Sequence, residues 1–219
     1  SYRGLHVGCH AHPSPLSLIP AIATSCNGYF CWGLYYMIGA RQKYGSVQKA
    51  MNTWRDYMVS MGFGYQLGID LPGEKRGMIP NAQYYDKAYR RSWNGLTIIS
   101  ISIGQGEVTA TPLQIANLGA TIANRGYFVT PHVVKEIEGE SIDSIYTTRR
   151  YTKVDKGHYE EVVQGMRSAV LGGTCRTANI PELEICGKTG TAQNHGKDHS
   201  AFMGFAPMNN PKIAIAVYV

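Results

Sequence analysis

Apolar positions recur at helical spacing in four stretches and at near-alternate spacing in the last third of the chain. Leu16 to Arg41 predicts helix, broken or restarted near Pro20, with Ser25-Cys26-Asn27 within it or at the junction. Ser46 can cap a second helix whose apolar residues run Val47, Ala50, Met51, Trp54, Tyr57, Met58 and Met61, a repeat most simply read as core, stopped by Gly62 and Gly64. Thr111-Pro112 starts a third, with proline inside the first turn, and Asn124-Arg125-Gly126 ends it. Residues 156–171 give a fourth, ending at Gly172-Gly173. Between these, residues 65–96 predict loop, punctuated by Pro72-Gly73 and Pro80-Asn81, and Thr97 to Ile103 is an apolar run broken by Gly104-Gln105-Gly106. His132 to Glu138 alternates as a strand would. Ile185 to Ala192, Ser200 to Ala206 and Ile213 to Val219 predict an antiparallel meander with turns at Asn194 to Asp198 and Asn209-Asn210-Pro211. Helices first and strands last give an α+β layered domain, with no internal repeat.

Composition narrows the class. In 219 residues, 44% are apolar and 16% charged, which excludes a disordered tail or a coiled coil. The net charge of +6 is scattered, with no basic stripe for nucleic acid. Residues 4–40 lack Asp, Glu, Lys and Arg, but Pro13, Pro15, Pro20, three histidines and Ser25-Cys26-Asn27 interrupt every window of ~20 residues, so the stretch reads as buried core and not as a membrane span. Five cysteines, irregularly spaced, are too few for a disulfide framework. No basic-then-apolar leader pattern opens the chain, and both ends read as interrupted, so we expect a piece of a longer protein, one partial domain over 1–219.

The chemistry begins at Lys188-Thr189-Gly190-Thr191. A lysine in mid-strand is costly unless it faces a cleft. Gly190, two positions on, leaves open space beside the ammonium for a substrate backbone. Thr189 and Thr191 offer hydroxyls, and the Thr191 N–H can serve an oxyanion. Lys-Thr-Gly is expected by chance about 0.03 times in such a chain and Ser-x-Asn about 0.5 times, so only the first is informative alone. Of two Ser-x-Asn matches, Ser25-Cys26-Asn27 and Ser92-Trp93-Asn94, only the first lies in a helical apolar stretch.

These residues resemble the penicillin-binding proteins, whose transpeptidase domains carry S-x-x-K, then S-x-N, then K-T-G. Gly68-Ile69-Asp70-Leu71-Pro72-Gly73-Glu74, Ser102-Ile103-Gly104-Gln105-Gly106, Thr111-Pro112-Leu113-Gln114, Gly187 to Gln193 and Phe202 to Pro207 look like class B segments in that order, and the elongation type is nearest in pattern. The resemblance implies the penicillin-binding-protein/serine beta-lactamase-like fold and acyl transfer on D-Ala-D-Ala stem peptides. Catalytic roles carry over to Ser25, Asn27 and Lys188, and substrate binding to Thr189, Gly190 and Thr191. It further implies the periplasmic face of the inner membrane, beta-lactams as inhibitors, a SEDS-family glycosyltransferase and the MreC scaffold as partners, and no cofactor.

The departure is the nucleophile. Only 24 residues precede Ser25 and none is lysine, so the pattern places S-x-x-K upstream, and we expect this stretch alone to be inactive. Ser46-Val47-Gln48-Lys49 has the spacing in the wrong order, and Ser46 is better read as a cap. A serine beta-lactamase would need a Glu with Asn four residues later, which is absent, whereas a non-catalytic sensor or scaffold would explain a missing nucleophile. Gly104-Gln105-Gly106 lacks the Lys-Ser/Thr of a phosphate loop, and His195 and His199 read as a solvated hairpin tip. Cys9-His10-Ala11-His12 is the one cluster with metal-ligand chemistry; the resemblance adds that some elongation-type relatives carry a metal near that segment, but no fourth ligand is identifiable and none is assigned. The open sheet edge predicts self-association.

Overall fold

The computed structural model describes residues 7–192 and 196–219, and in it the charge-free stretch forms two helices, α1 (Leu18–Ala23) and α2 (Asn27–Gly39). Pro20 lies in the first turn of α1, where its missing N–H costs nothing. The break comes at Ser25, held at φ 54° in the left-handed region. Thr24 donates its hydroxyl to the Pro20 carbonyl at 2.8 Å to close α1, and Cys26 opens α2 by accepting the Tyr29 N–H on Sγ.

After the short α3 (Arg41–Tyr44) comes α4 (Val47–Ser60), with Ser46 Oγ accepting the Lys49 N–H at 3.1 Å, the capping role expected of it. Trp54 packs against the core formed by Leu34, Ile38, Met51, Tyr85 and Trp93, whereas Tyr57 stays exposed. The region expected to be loop contains α5 (Ala82–Ala88), opened by Asn81 accepting the Tyr84 N–H at 2.8 Å. Two turns of helix are too short to show a periodic apolar face, and Pro80-Asn81 reads in sequence as loop punctuation. Ile99–Ile103 is a 3-10 turn, and α6 (Pro112–Ala123) follows, opened by a reciprocal Thr111/Gln114 box.

The strand expected at 132–138 does not form. Tyr127–Phe128 (β1) instead pairs antiparallel with Arg150–Tyr151 (β2), and the N–H groups of Val133 and Val134 donate to the Asp70 carboxylate. Alternation marks a segment that could be half buried, but a strand also needs a partner edge, and this segment has only an isolated bridge between Ile137 and Glu140.

The meander forms as expected: β3 (Cys186–Ala192), β4 (His199–Ala206) and β5 (Ile213–Tyr218), antiparallel and in that spatial order. Lys188 lies opposite Met203, which lies opposite Ala216. Within the expected 194–198 turn, Asn194 and His195 lie outside the described residues, as does Gln193. α6 and α7 (Tyr159–Gly172) cover one face of the sheet, with Ile122, Val163, Met166, Cys186 and Phe205 in one core. Gly165 lets α1 lie directly on α7, since a Cβ there would come within 2.8 Å of Ile22. That packing brings the end of α1, and Ser25 with it, beside β3. No helix among the described residues is long and apolar enough to cross a membrane.

Candidate active site

Residues 25 and 188, far apart in sequence, meet in the fold: Lys188 Nζ donates to Ser25 Oγ at 2.8 Å and to its neighbour's carbonyl, Thr189 O, at 2.7 Å. An ammonium only donates, so the Ser25 oxygen accepts and its own proton is left to point elsewhere. Burial pushes the Lys188 ammonium below the usual lysine range, against the nearby Cys175, which acts to raise it. The arrangement makes Ser25 a hydroxyl polarised by a half-buried cation, suited to passing a proton.

Ser25 occupies the left-handed conformation at a cost of about 1 kcal/mol for a side-chain-bearing residue. We therefore expect Ser25→Gly to be more stable than Ser25→Ala by about 1 kcal/mol, because both remove Oγ and only alanine keeps the strain. Urea unfolding of the two variants checks this, and equal midpoints would show that Ser25 is unstrained.

Thr189 and Thr191 alternate with Lys188 along β3, and a Cβ on Gly190 would meet nothing within 4 Å, so the expected open space beside the strand exists. Thr189 Oγ1 donates to Thr174 Oγ1 at 3.0 Å. Gln105, from the loop after the 3-10 turn, donates Nε2 to the Thr191 carbonyl at 3.5 Å. Asn27 sits on the first turn of α2, two residues after Ser25, with Nδ2 donating to the Gly8 carbonyl at 2.9 Å. Ser92-Trp93-Asn94 is elsewhere: Trp93 is buried, donating Nε1 to Asp86 at 2.7 Å, and Asn94 makes a local turn to Leu96.

The other segments that carried the resemblance build the scaffold. The Glu74 carboxylate accepts the N–H groups of Leu67 at 2.6 Å, Gly68 at 2.9 Å and Ile69 at 3.3 Å. Gln114 is fully buried and its amide ties the Tyr65 and Arg76 carbonyls, each at 2.9 Å. Gln105 and Thr174 are the contacts that spacing could not reveal, since each reaches β3 from a distant loop.

The metal-ligand cluster is assembled differently from its sequence pattern. Cys9, His12 and Cys26 bring their ligand atoms within 4.8 Å of one another, and His10 is not among them. Two sulfurs and one imidazole are ligand types that zinc takes, and an ion held there would tie residues 9–12 to the start of α2, with three of the four ligands of a closed site supplied among the described residues. Partial burial raises the Cys9 thiol, but hydrogen bonds from the Gly28 backbone, His12 and Cys26 outweigh it and bring the thiol down to about 7. The Cys9 sulfur lies 3.2 Å from His12 Nε2, while Cys31, Cys175 and Cys186 are buried. Iodoacetamide at neutral pH should therefore modify Cys9 before any of these three. Peptide mapping that finds a buried cysteine labelled as fast would contradict the assignment.

The chain belongs to the penicillin binding protein transpeptidase domain family, whose model it matches over residues 6–219. Its relatives place it with the elongation-type penicillin-binding protein 2. The peptidoglycan D,D-transpeptidase MrdA of Acinetobacter baumannii is 37% identical over 219 residues, covering 90% of this chain and 30% of that protein. Penicillin-binding protein 2 of Pseudomonas aeruginosa, solved in complex with WCK 5153, superposes with a TM-score of 0.78 at 34% identity, covering 93% of this chain and 44% of that one. The same protein from Helicobacter pylori, solved with MreC, gives 0.73 at 27% identity, covering 93% and 36%. The chain thus spans less than half the length of each, and the expected penicillin-binding-protein fold holds over nearly all of it.

Proposed function

We propose that this chain supplies the Ser-x-Asn and Lys-Thr-Gly half of a peptidoglycan D,D-transpeptidase that cross-links stem peptides during cell elongation. The observation that carries the reading is the 2.8 Å bond from Lys188 Nζ to Ser25 Oγ. A serine upstream, in an S-x-x-K segment, attacks the penultimate D-Ala carbonyl. Its proton passes through Ser25 to the nitrogen of the departing D-Ala as that C–N bond breaks. An amine from a neighbouring stem then attacks the ester, its proton returns by the same route, and the serine is released. Lys188 favours the proton's passage and attracts the substrate carboxylate, which the Thr189 and Thr191 hydroxyls bind, with Gly190 leaving room for the peptide. Asn27, whose Nδ2 is engaged with Gly8, orients the substrate amide through Oδ1. The Thr191 N–H would serve the oxyanion.

The setting follows from the same reading: action at the periplasmic face of the inner membrane, stem peptides as substrate, a SEDS-family glycosyltransferase and an MreC-type scaffold as partners, and no cofactor in the chemistry. The test is intact mass after incubation with a fluorescent penicillin, on this chain and on a protein that also includes the upstream segment. An adduct on the longer protein alone supports the reading. None on either points to a non-catalytic relative, and one on this chain means Ser25 or Ser46 is itself the nucleophile.

In isolation we expect association through β5, whose other edge has no partner strand among the described residues and whose Ile213, Ile215 and Val217 are exposed. Small-angle scattering giving a concentration-independent monomer would count against it.

A further inference from the structure

Thr189 has a single hydroxyl proton, and that proton points at Thr174, 3.0 Å away. A carboxylate ligand needs the same proton, because an ionised carboxylate only accepts. We propose that Thr174 is a positioning residue for carboxylate recognition: when the ligand arrives the bond reverses, Thr174 donating to Thr189 and Thr189 donating to the carboxylate. The inference rests on the transpeptidase reading above.

Three features of Thr174 suit it to this. The present geometry suits Thr189 as donor, and reversing the bond needs only a small turn of the Thr174 side chain with rotation of the two O–H vectors, so each oxygen keeps its own hydrogen. The reversed chain ends on an anion, and a charge-assisted bond strengthens the neutral one behind it. The Thr174 proton has no strong competing acceptor, since its other contact is the Cys175 sulfur at 3.9 Å.

Thr174 is also anchored independently of β3. Its N–H donates to the Ala23 carbonyl at 3.1 Å, and the next N–H, of Cys175, donates to Ala169 at 3.0 Å. Ala23 lies two residues before Ser25, at the end of α1. The Thr174 hydroxyl is therefore registered to the turn that holds Ser25, and through Thr189 it carries that register to the strand that holds Lys188. A ligand whose carboxylate is bound by Thr189 is thereby placed relative to the proton-relay pair, with Thr174 touching neither the ligand nor the reacting atoms.

The test compares a penicillin with its methyl ester in a protein that includes the upstream nucleophile segment, resolving the pre-acylation dissociation constant from the limiting acylation rate. Thr174→Val should weaken binding of the acid by about tenfold, leave the limiting rate within about twofold, and leave the ester unchanged. Thr174→Ser should restore the acid, and adding Thr174→Val to Thr189→Val should cost nothing more. Equal losses on acid and ester, a loss confined to the limiting rate, or additive losses in the double variant would overturn the proposal. If the parent protein forms no adduct, the transpeptidase reading fails and the inference falls with it, a result distinct from the others. If Thr174→Val does not fold, as thermal unfolding would report, Thr174→Ala against Thr174→Ser supplies the same acid-to-ester comparison.

Discussion

Gly173→Ala is expected to destabilise the chain by about 3 kcal/mol and to pull the two halves of the site apart. A methyl group at 173 would run into the Ala23 carbonyl oxygen and would come within 2.8 Å of Ala169 Cα, both backbone atoms that cannot swing aside. The φ of −99° lies on the ordinary side of the map, so crowding and not conformational freedom is the reason for glycine. Relief requires α1 to move off the end of α7, and α1 carries Ser25. Denaturant unfolding should therefore show the loss of stability, and the longer protein should lose penicillin labelling even where it remains folded. A variant within about 0.5 kcal/mol of the parent and labelled at the parent rate would mean that this contact relaxes without consequence.

Lys188→Met should have the largest effect on chemistry: acylation of the longer protein should fall by roughly a thousandfold, the scale of removing a proton-transfer or electrostatic partner. Stability should not fall with it, because methionine replaces a half-buried cation with an apolar chain of similar length. The pH dependence supplies a second readout. Burial lowers the Lys188 pKa in the folded state, so the unfolded chain binds the proton more tightly. The resulting penalty is fully present below the folded pKa and is relieved as pH rises towards the unfolded value of ~10.4. The parent should therefore gain stability on the alkaline side relative to Lys188→Met. Parallel pH profiles for the two proteins would show that the lysine is not buried in its charged form, and unchanged acylation would remove it from the mechanism.

Zinc at Cys9, His12 and Cys26 would act on the same turn. Cys26 is both the cap of α2 and the residue after Ser25, so an ion there would stiffen the kink without entering the reaction.

The elements read correctly from sequence were those whose signal is local. Ser46, Thr111 and Gln114 cap helices with their own neighbours, and the three strands of the meander follow one another through short turns. The misread elements depended on something distant or lacked length. His132 to Glu138 had the alternation of a strand and no edge to join, and α5 was two turns long, its Pro80-Asn81 start indistinguishable in sequence from loop punctuation.

The site divides in the same way. Lys188-Thr189-Gly190-Thr191 is legible because the triplet is rare and a lysine in an apolar strand needs a reason, and its apolar helical surroundings set Ser25 apart from Ser92. From residue order alone the chain determined its α+β class, its family and the identity of its polar side chains, because hydrophobic period and motif order are properties of neighbours along the chain. Only the tertiary structure decided that Ser25 is held in a left-handed turn against Lys188, that Thr174 and Gln105 reach β3, and that Cys26 rather than His10 completes the metal-ligand cluster. Those contacts are made by packing α1 on α7 and α7 on the sheet, and side chains brought together by layers leave no spacing rule in the sequence.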